Sequence, residues 1–410
     1  MKPKHYIEFI PKLILYGLYH LSGWMPRRKY KWAFGSHFGF KDNSKFLIME
    51  AIEQHPEIRP IWIAHKKNEC VNIRTLGFEC YYWLSIKGLY HAFTSGVYVC
   101  TRNTIEINRV ASKGAVYLNL NHGVGAKKCY WLRPYYIMNE WGLTVKEAEK
   151  SFMFKVLAFP WYIRVPDICL VTSRMQAETF FAPMFNIPLD NCLYGSYPRN
   201  RLLMSSKKEI MERACKYEPK VTSSFIDMIE RYDKIYIYMP TWRNGGEDFI
   251  NLSGIDFRQL NEALKKRNEL FILKLHPLTK IDLFSIECLS NVITFDPSID
   301  IYYILPFTDC LITDYSSIYS DYLLMNKEVI LYVFDLEDYQ NTNCLADYDK
   351  YYLGTRARNF GELLNLIENR VDCHLPKVEY DFIMDTYWDS AFNGVDIIEE
   401  VKKRMNSYQE

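Results

Sequence analysis

The chain alternates short apolar runs, rich in β-branched and aromatic residues, with longer stretches whose apolar residues recur at helical spacing. The predicted strands are Lys31–Phe34, Ile61–Ala64, Gly96–Cys100, Ala115–Leu120, Asp167–Thr172, Lys234–Tyr238, Leu270–Leu275, Asn291–Phe295, Cys310–Thr313 and Val329–Phe334. Continuous apolar strands that alternate with helices are typical of parallel sheets covered on both faces. The pattern therefore predicts an α/β protein with two Rossmann-like, doubly wound domains that face each other across a cleft.

The break between the two sets of strands lies at Asn191–Asn200, which is rich in turn-forming residues. We therefore expect a first domain at residues 31–192 and a second at residues 193–390. Residues 391–410 have apolar positions at helical spacing and predict a C-terminal helix that packs back across the boundary.

Residues 1–30 form a separate N-terminal segment. Its apolar stretch is interrupted by Glu8, Pro11, Lys12 and His20, so it lacks the roughly 20 clean apolar residues of a membrane-spanning helix. Basic residues on both sides favour an interfacial helix on a membrane surface, and a helix packed on the first domain is the alternative. Residues 130–165 mix aromatic with basic residues. They have two interpretations, a surface that faces a membrane or ordinary core.

Composition and charge exclude several classes of protein. A content of 49% hydrophobic and 24% charged residues is that of a globular chain, and a net charge of +1 gives no support for a nucleic-acid partner. The 11 cysteines are scattered without a Cys-x-x-Cys pair, which favours free thiols in the cytosol over a zinc site. The Asp347-Tyr348-Asp349 sequence does not follow a strand, so we expect no metal there.

The most informative stretch is residues 308–321, in which a strand leads through Thr313, Asp314 and Tyr315 into a predicted helix. Ser316 and Ser317 are predicted to cap that helix. Free N–H groups at such a helix start attract a phosphate or diphosphate. An ordinary capped helix is the alternative.

Candidate chemistry follows other strands. His122 comes directly after a strand and precedes Lys127 and Lys128, a setting for acid–base work on a charged substrate. His276 and Arg243 each follow a strand of the second set, and a guanidinium is a preferred ligand of phosphate oxygens. Together these strand ends predict a diphosphate pocket with a histidine at its edge, although each residue alone has an ordinary structural explanation.

In this order, the motifs resemble the CDP-glycerol glycerophosphotransferase family, whose members prime and polymerise teichoic acid. The matching residues are Phe34-Gly35-Ser36, Asp42-Asn43-Ser44, His122-Gly123, Lys127-Lys128, Gly195, Pro198-Arg199-Asn200, Pro240-Thr241-Trp242-Arg243, Lys274-Leu275-His276-Pro277, Thr313-Asp314-Tyr315-Ser316-Ser317, Asp321 and Asp335. The resemblance implies a GT-B fold with the active site between the domains and no catalytic metal or other cofactor. Val124 and Arg201 depart from the family, which usually has threonine and aspartate there.

The resemblance also implies roles for the candidate residues. His122 is similar to the base that deprotonates the acceptor hydroxyl, and His276 to the histidine that supports the diphosphate or the leaving CMP. Residues implied to hold the CDP donor and its phosphates are Arg199, Arg243, Thr313, Asp314, Ser316, Ser317 and Asp321. Lys127 and Lys128 would lie on the acceptor side, which makes 31–192 the acceptor domain and 193–390 the donor domain.

The function expected from this resemblance is transfer of a polyol phosphate, glycerol phosphate first, from a CDP-activated donor to a hydroxyl of a lipid-linked or surface glycan, with release of CMP. Such an enzyme would be cytoplasmic and peripheral on the inner face of the membrane, and would build teichoic acid, capsule or a related envelope polymer. Two alternatives stay open at this point: a GT-B glycosyltransferase that uses a nucleotide sugar, and a non-catalytic relative that binds glycan or lipid.

Overall fold

The computed structural model describes residues 3–125, 164–218, 221, 223–241, 243, 252–275, 286, 288–296, 299–342 and 347–407. By their internal contacts the residues form two units, Met1–Arg199 with Thr386–Glu410, and Asn200–Asp385. The division between the units falls a few residues after the expected boundary at 192, and the C-terminal helix belongs to the first unit.

The first unit contains a seven-stranded parallel sheet in the order β3-β2-β1-β4-β5-β6-β7. Its strands are β1 (Arg28–Phe34), β2 (Arg59–Ala64), β3 (Cys80–Tyr82), β4 (Ser95–Cys100), β5 (Val116–Asn119), β6 (Ile168–Val171) and β7 (Cys192–Tyr194). The strand order reverses between β1 and β4. In open α/β sheets, ligands bind outside the carboxyl ends of the strands at such a switch point.

Helices of the first unit connect these strands. They are α1 (Pro3–Ser22), α2 (Asp42–Gln54), α3 (Lys67–Thr75), α4 (Ile86–Thr94) and α5 (Ala182–Phe185), with a short 3₁₀ turn at Thr104–Glu106 and a π-helical turn at Gln176–Phe181. Helix α6 (Pro198–Leu203) spans the division between the units. The core lies between sheet and helices, where all six residues of β4 are buried.

The second unit contains a six-stranded parallel sheet in the order β10-β9-β8-β11-β12-β13. Its strands are β8 (Lys234–Tyr238), β9 (Glu269–Leu273), β10 (Val292–Thr294), β11 (Cys310–Thr313), β12 (Glu328–Tyr332) and β13 (Thr355–Ala357). Here the strand order reverses between β8 and β11, so the favoured ligand position lies at the carboxyl ends of these two strands.

The remaining described helices follow in chain order. They are α7 (Lys207–Tyr217), α8 (Ser223–Ile229), α9 (Phe257–Lys265), α10 (Ile318–Leu323), α11 (Leu336–Thr342), α12 (Tyr348–Tyr351) and α13 (Phe360–Glu368), followed by α14 (Lys377–Trp388) at the division and α15 (Ile397–Ser407) in the first unit. Ser206 and Glu209 form a capping box at α7, and Asp256 accepts hydrogen bonds from two N–H groups of α9.

Helix α1 is fixed to the first unit at its carboxyl end. Tyr19 is buried, His20 contacts Lys113, and Arg27 donates to the carbonyl oxygens of Ala92 (3.0 Å) and Ala111 (2.6 Å). No helix in the described ranges combines the length and the apolar content that crossing a bilayer requires.

Candidate active site

The carboxyl ends of β1 and β4 meet at the switch point of the first sheet. The chain leaves β1 at Gly35, where a Cβ atom would lie 2.4 Å from the carbonyl oxygen of Glu106. Only glycine allows this approach, because the neighbouring atoms belong to backbone. Thr101 and Arg102 follow β4 at the same edge, and the loop after β5 brings His122 beside them.

The backbone before His122 is held by amide side chains. Asn121 adopts a left-handed conformation (φ 53°), which asparagine tolerates better than most residues. Its side chain donates to the Leu170 carbonyl at 2.7 Å, and its own carbonyl accepts from Asn43 Nδ2 at 2.8 Å. These bonds fix the backbone turn at Asn121, and the next residue, His122, is exposed. The centroid of the His122 ring lies 6.3 Å from that of the Phe38 ring.

The His122 imidazole is kept neutral. The residue is exposed, and Arg102 and Arg199 place positive charge near its ring. Desolvation, followed by these charges, lowers the pKa of His122 to about 3, and a hydrogen bond with the Thr101 backbone only partly opposes this. A neutral imidazole with one nitrogen directed at a carbonyl keeps the other nitrogen as a proton acceptor. A bound diphosphate would bring negative charge and raise this pKa.

Two arginines contribute positive charge to this edge, and only one was predicted. Arg199 is buried in the first unit, and its guanidinium pairs with Asp42, a residue at φ 65°. Arg102 was not predicted, although it follows a strand just as His122 does. Its Nε is buried and has no hydrogen-bond partner within the part of the chain that the structure describes. Arg102 is therefore a candidate ligand for an anion.

In the second unit, Arg243 lies at the carboxyl end of β8 in a network with two carboxylates. Nε and Nη2 donate to Asp335 at 2.7 and 2.9 Å, and Nη2 also donates to Asp314 at 2.9 Å. The Tyr315 and Tyr339 rings lie 5.0 and 4.7 Å from the guanidinium carbon. Burial opposes the charge, but Asp314 and Asp335 outweigh it and raise the pKa of Arg243. This arginine joins the loops after β8, β11 and β12.

Tyrosines brace the loop that follows β11. The hydroxyls of Tyr348 and Tyr352 donate to the carbonyl oxygens of Asp314 and Tyr315, each at 3.2 Å. The Tyr315 ring stacks on Tyr339 at 4.1 Å between centroids, and its hydroxyl donates to Asp335 at 2.9 Å. Buried tyrosines with satisfied hydroxyls add packing and fix backbone at once. Part of the high tyrosine content thus serves this loop.

The prediction that Ser316 and Ser317 cap the following helix is wrong for Ser317. Ser317 occupies the N-cap position of α10 but has helical dihedral angles (φ −65°, ψ −12°) and makes no side-chain cap bond. Ser316 Oγ only reaches the Ile318 N–H at 3.5 Å. The reason is geometric, because a cap side chain folds back over the helix start from an extended backbone. Both serines are half-buried.

Thr313, Asp314 and Asp321 are buried and bonded within the protein. Thr313 Oγ1 donates to the Met239 carbonyl at 2.8 Å. Asp314 accepts from the Thr241 N–H at 2.8 Å, as well as from Arg243. Asp321 accepts from Asn200 Nδ2 at 3.1 Å and from the Tyr302 hydroxyl. These side chains hold the loops in place, so any role in donor binding is indirect.

Several predicted residues lie outside the described residues: His276, Lys127, Lys128 and all of the aromatic segment 130–165 except Arg164 and Val165. Arg164 pairs with Asp167 and donates to the Ala115 carbonyl at 2.6 Å. In the Asp347-Tyr348-Asp349 sequence, Asp347 caps α12 and Asp349 pairs with Arg356 at 2.6 Å.

Two groups of side chains in the described ranges have the composition of a metal site: His55, Glu57 and Glu399, and Glu328, Asp372 and His374. In each group a lysine ammonium already pairs with the acids. Lys402 Nζ lies 2.6 Å from both Glu57 and Glu399, and Lys234 Nζ lies 2.7 Å from Glu328. Neither group contains a predicted site residue.

Comparison with known proteins identifies relatives of this chain. The family described as CDP-Glycerol:Poly(glycerophosphate) glycerophosphotransferase matches residues 25–374. Teichoic acid ribitol-phosphate polymerase TarK of Staphylococcus aureus is 28% identical over 215 residues, which are 50% of this chain and 40% of TarK. The match thus spans less than half of TarK. Teichoic acid poly(glycerol phosphate) polymerase of Bacillus spizizenii is 23% identical over 83% of this chain and 84% of its own length.

Among solved structures, the wall teichoic acid polymerase TagF superposes with a TM-score of 0.71 at 17% identity, and the superposition covers 99% of this chain and 98% of the TagF chain. At this identity the likeness establishes the fold. TagF has the GT-B fold, so the α/β, GT-B prediction is confirmed.

Proposed function

Since the chain belongs to the CDP-glycerol:poly(glycerophosphate) glycerophosphotransferase family, we propose that it transfers a polyol phosphate, most simply glycerol phosphate, from a CDP-linked donor to a hydroxyl of a lipid-linked or surface glycan and releases CMP. The observation that carries this proposal is the neutral, outward-facing imidazole of His122 at the carboxyl edge of the first sheet, with Arg102 and Arg199 beside it. A general base near two arginines suits proton removal next to an anionic substrate.

In the proposed reaction, the acceptor hydroxyl oxygen attacks the β-phosphorus of the CDP donor while His122 accepts its proton. The bond between the β-phosphorus and the bridging oxygen breaks, and CMP leaves with that oxygen. Phosphoryl transfer depends mainly on positioning and on stabilising the spread negative charge. Those tasks fall to cations and N–H donors, and the proposal includes no metal ion or other cofactor.

The donor side of the proposal uses the second unit. Ser316 and Ser317 offer half-buried hydroxyls in the braced loop after β11, and Arg243 holds that loop through its bond to Asp314. Thr313, Asp314 and Asp321 act by holding this loop. His276 would assist the leaving CMP, as the family resemblance implies, and Lys127 and Lys128 would contact the acceptor.

We also propose that the protein works as a peripheral protein on the inner face of the cell membrane, where a lipid-linked acceptor is reached from the cytoplasm. The supporting observation is the exposed apolar row Ile14, Leu18 and Leu21 on α1, continued by Trp24, which is 84% exposed. Arg28 and Lys29 follow directly and are exposed. An apolar helical face with an adjoining basic group is typical of interfacial helices.

The test is a product assay with purified protein, membrane extract as acceptor, and separate CDP-glycerol, CDP-ribitol and nucleotide-sugar donors. We expect CMP to appear with a CDP-polyol only, and the His122→Ala variant to lose turnover while it binds the CDP donor as before. Release of a nucleoside diphosphate from a sugar donor would instead indicate a glycosyltransferase. Donor binding without any nucleotide release would indicate a non-catalytic binding protein.

A further inference from the structure

Glu106 has a buried carboxylate at the switch point of the first sheet, and its side chain accepts hydrogen bonds from both loops that meet there. It is only 4% exposed. Oε1 accepts from the His37 N–H at 3.1 Å and from the Thr101 hydroxyl at 3.0 Å. Oε2 accepts from the Thr101 N–H at 2.7 Å and from the Arg102 N–H at 3.3 Å.

These donors belong to the segments that surround His122. His37 lies in the loop after β1, and Thr101 and Arg102 follow β4. Thr101 is bound to Glu106 through its N–H and its hydroxyl. The strand that precedes Thr101 lies beside the strand that precedes His122, where the Leu120 N–H donates to the Cys100 carbonyl at 2.8 Å, and the Thr101 backbone acts on the His122 ring by raising its pKa. The backbone of Glu106 is fixed in turn, because His65 Nε2 lies 3.0 Å from its carbonyl oxygen.

We propose that Glu106 is a positioning residue for the transfer reaction, which holds Thr101 and Arg102 where they orient the His122 imidazole. The inference rests on the proposed function, in which His122 is the base. Glu106 fixes the Thr101 peptide, and the Thr101 carbonyl fixes one ring nitrogen of His122. The other ring nitrogen is then aimed at the acceptor hydroxyl. Orientation of a catalytic histidine by a second group is a recurrent requirement of base catalysis.

A carboxylate is the side chain that this arrangement needs. Its oxygens accept all four hydrogen bonds, whereas the glutamine amide has one acceptor oxygen and an NH₂ group that would face N–H or O–H donors. Burial also makes the ionised form of the Glu106 side chain unfavourable. Burial raises the pKa of Glu106 to about 7 despite its bonds to Thr101 and Arg102, and Asp42 adds to the rise. Costly buried carboxylates concentrate at functional sites.

The central experiment compares Glu106→Gln, His122→Ala and the double variant of the full chain in the CMP-release assay. We expect Glu106→Gln to lower kcat by roughly 10- to 100-fold, the range for residues that orient a reacting group from behind, with unchanged affinity for the CDP-polyol. In the His122→Ala background, the same change should lower the residual turnover no further, because both variants remove one function. The matched control is Glu269→Gln, a buried glutamate of the second unit paired with Arg370, which should keep its kcat.

A milder substitution tests the same contact with less risk that the variant fails to fold. Thr101→Val removes only the hydroxyl that donates to Glu106 and should lower kcat less than Glu106→Gln, while Thr101→Ser should restore it. Unchanged kcat in Glu106→Gln, or a loss that multiplies fully with that of His122→Ala, would overturn the positioning role. Full turnover in His122→Ala would instead overturn the proposed function, so the two failures are distinguishable.

Discussion

Asp335 holds the Arg243 guanidinium through both carboxylate oxygens, at 2.7 Å from Nε to Oδ2 and 2.9 Å from Nη2 to Oδ1. Asp314 accepts from the same Nη2 at 2.9 Å. One cation thus links the ends of three neighbouring strands, β8, β11 and β12. The sequence marked Arg243 as a phosphate ligand, and its strongest described bonds are to these carboxylates. Its effect on a donor therefore includes the shape it gives to the loop with Ser316 and Ser317.

Removing one partner of this half-buried pair should destabilise the second unit. Asp335→Asn leaves Arg243 with Asp314 as its carboxylate partner, so we expect a loss of about 1–3 kcal/mol, below the roughly 3–5 kcal/mol typical of a broken, fully buried ion pair. Chemical denaturation of the full chain measures it. The control is Glu230→Gln, which breaks the exposed Lys207–Glu230 pair (2.7 Å) and should cost about 0–1 kcal/mol. Equal losses in the two variants would contradict the structural role of Asp335.

The pKa of His122 should depend on Arg102. In the free enzyme a pKa of about 3 keeps His122 neutral, so its kcat/KM should show no acid limb from this residue until the pH falls toward that value. Arg102→Gln removes a positive neighbour, which raises the pKa of His122 and moves the acid limb to higher pH. NMR titration of the His122 ring measures the shift directly.

Arg59→Gln serves as the control for this titration. Arg59 pairs with Glu79 at 2.8 Å and is not among the groups that shift His122. Identical His122 titration in the Arg59 and Arg102 variants would show that Arg102 does not act on the imidazole.

Gly35 should not accept a side chain. In Gly35→Ala the new Cβ would lie 2.4 Å from the Glu106 carbonyl oxygen and 2.8 Å from its carbonyl carbon. The backbone must move, so we expect a loss of roughly 1–3 kcal/mol and a fall in kcat through Glu106. Gly17→Ala, in helix α1 with nothing within 4 Å of its Cβ, should gain about 0.5–1 kcal/mol. Thermal melts compare both variants, and equal melting temperatures would contradict the steric argument.

The central strands of both sheets were predictable because they are apolar along their length and are bounded by polar or turn-forming residues. Strands β3, β7 and β13 were not predicted. Each is only three residues long and lies at the edge of its sheet, so it carries little apolar signal.

The candidate site was predictable where one strand end carries the chemistry by itself, as at His122 and Arg243. Glu106 was not, because its importance comes from the strand order: β4 lies between β1 and β5, which brings the loops with His37, Thr101 and His122 together. Neighbours in a sheet that are distant in sequence leave no local pattern. The position of Thr101 and Arg102 after a predicted strand was the available signal.

The last prediction concerns the apolar face of α1. Leu21 and Trp24 are both exposed, and burying such side chains in a bilayer interface stabilises binding by up to about 1.5–3 kcal/mol each. With partial burial, Leu21→Ser with Trp24→Ser should weaken binding to anionic phospholipid vesicles by about tenfold or more, since about 1.4 kcal/mol corresponds to a factor of ten.

Vesicle co-sedimentation measures this binding, and the control is Leu84→Ser with Ile86→Ser, an exposed apolar pair elsewhere in the same unit. High salt should weaken the wild-type binding as well, because it screens Arg28 and Lys29 from the anionic headgroups. Equal binding by both double variants would place the contact away from α1. Absence of wild-type binding would remove the membrane from the proposed function and leave the transfer chemistry of His122 to be judged on product release alone.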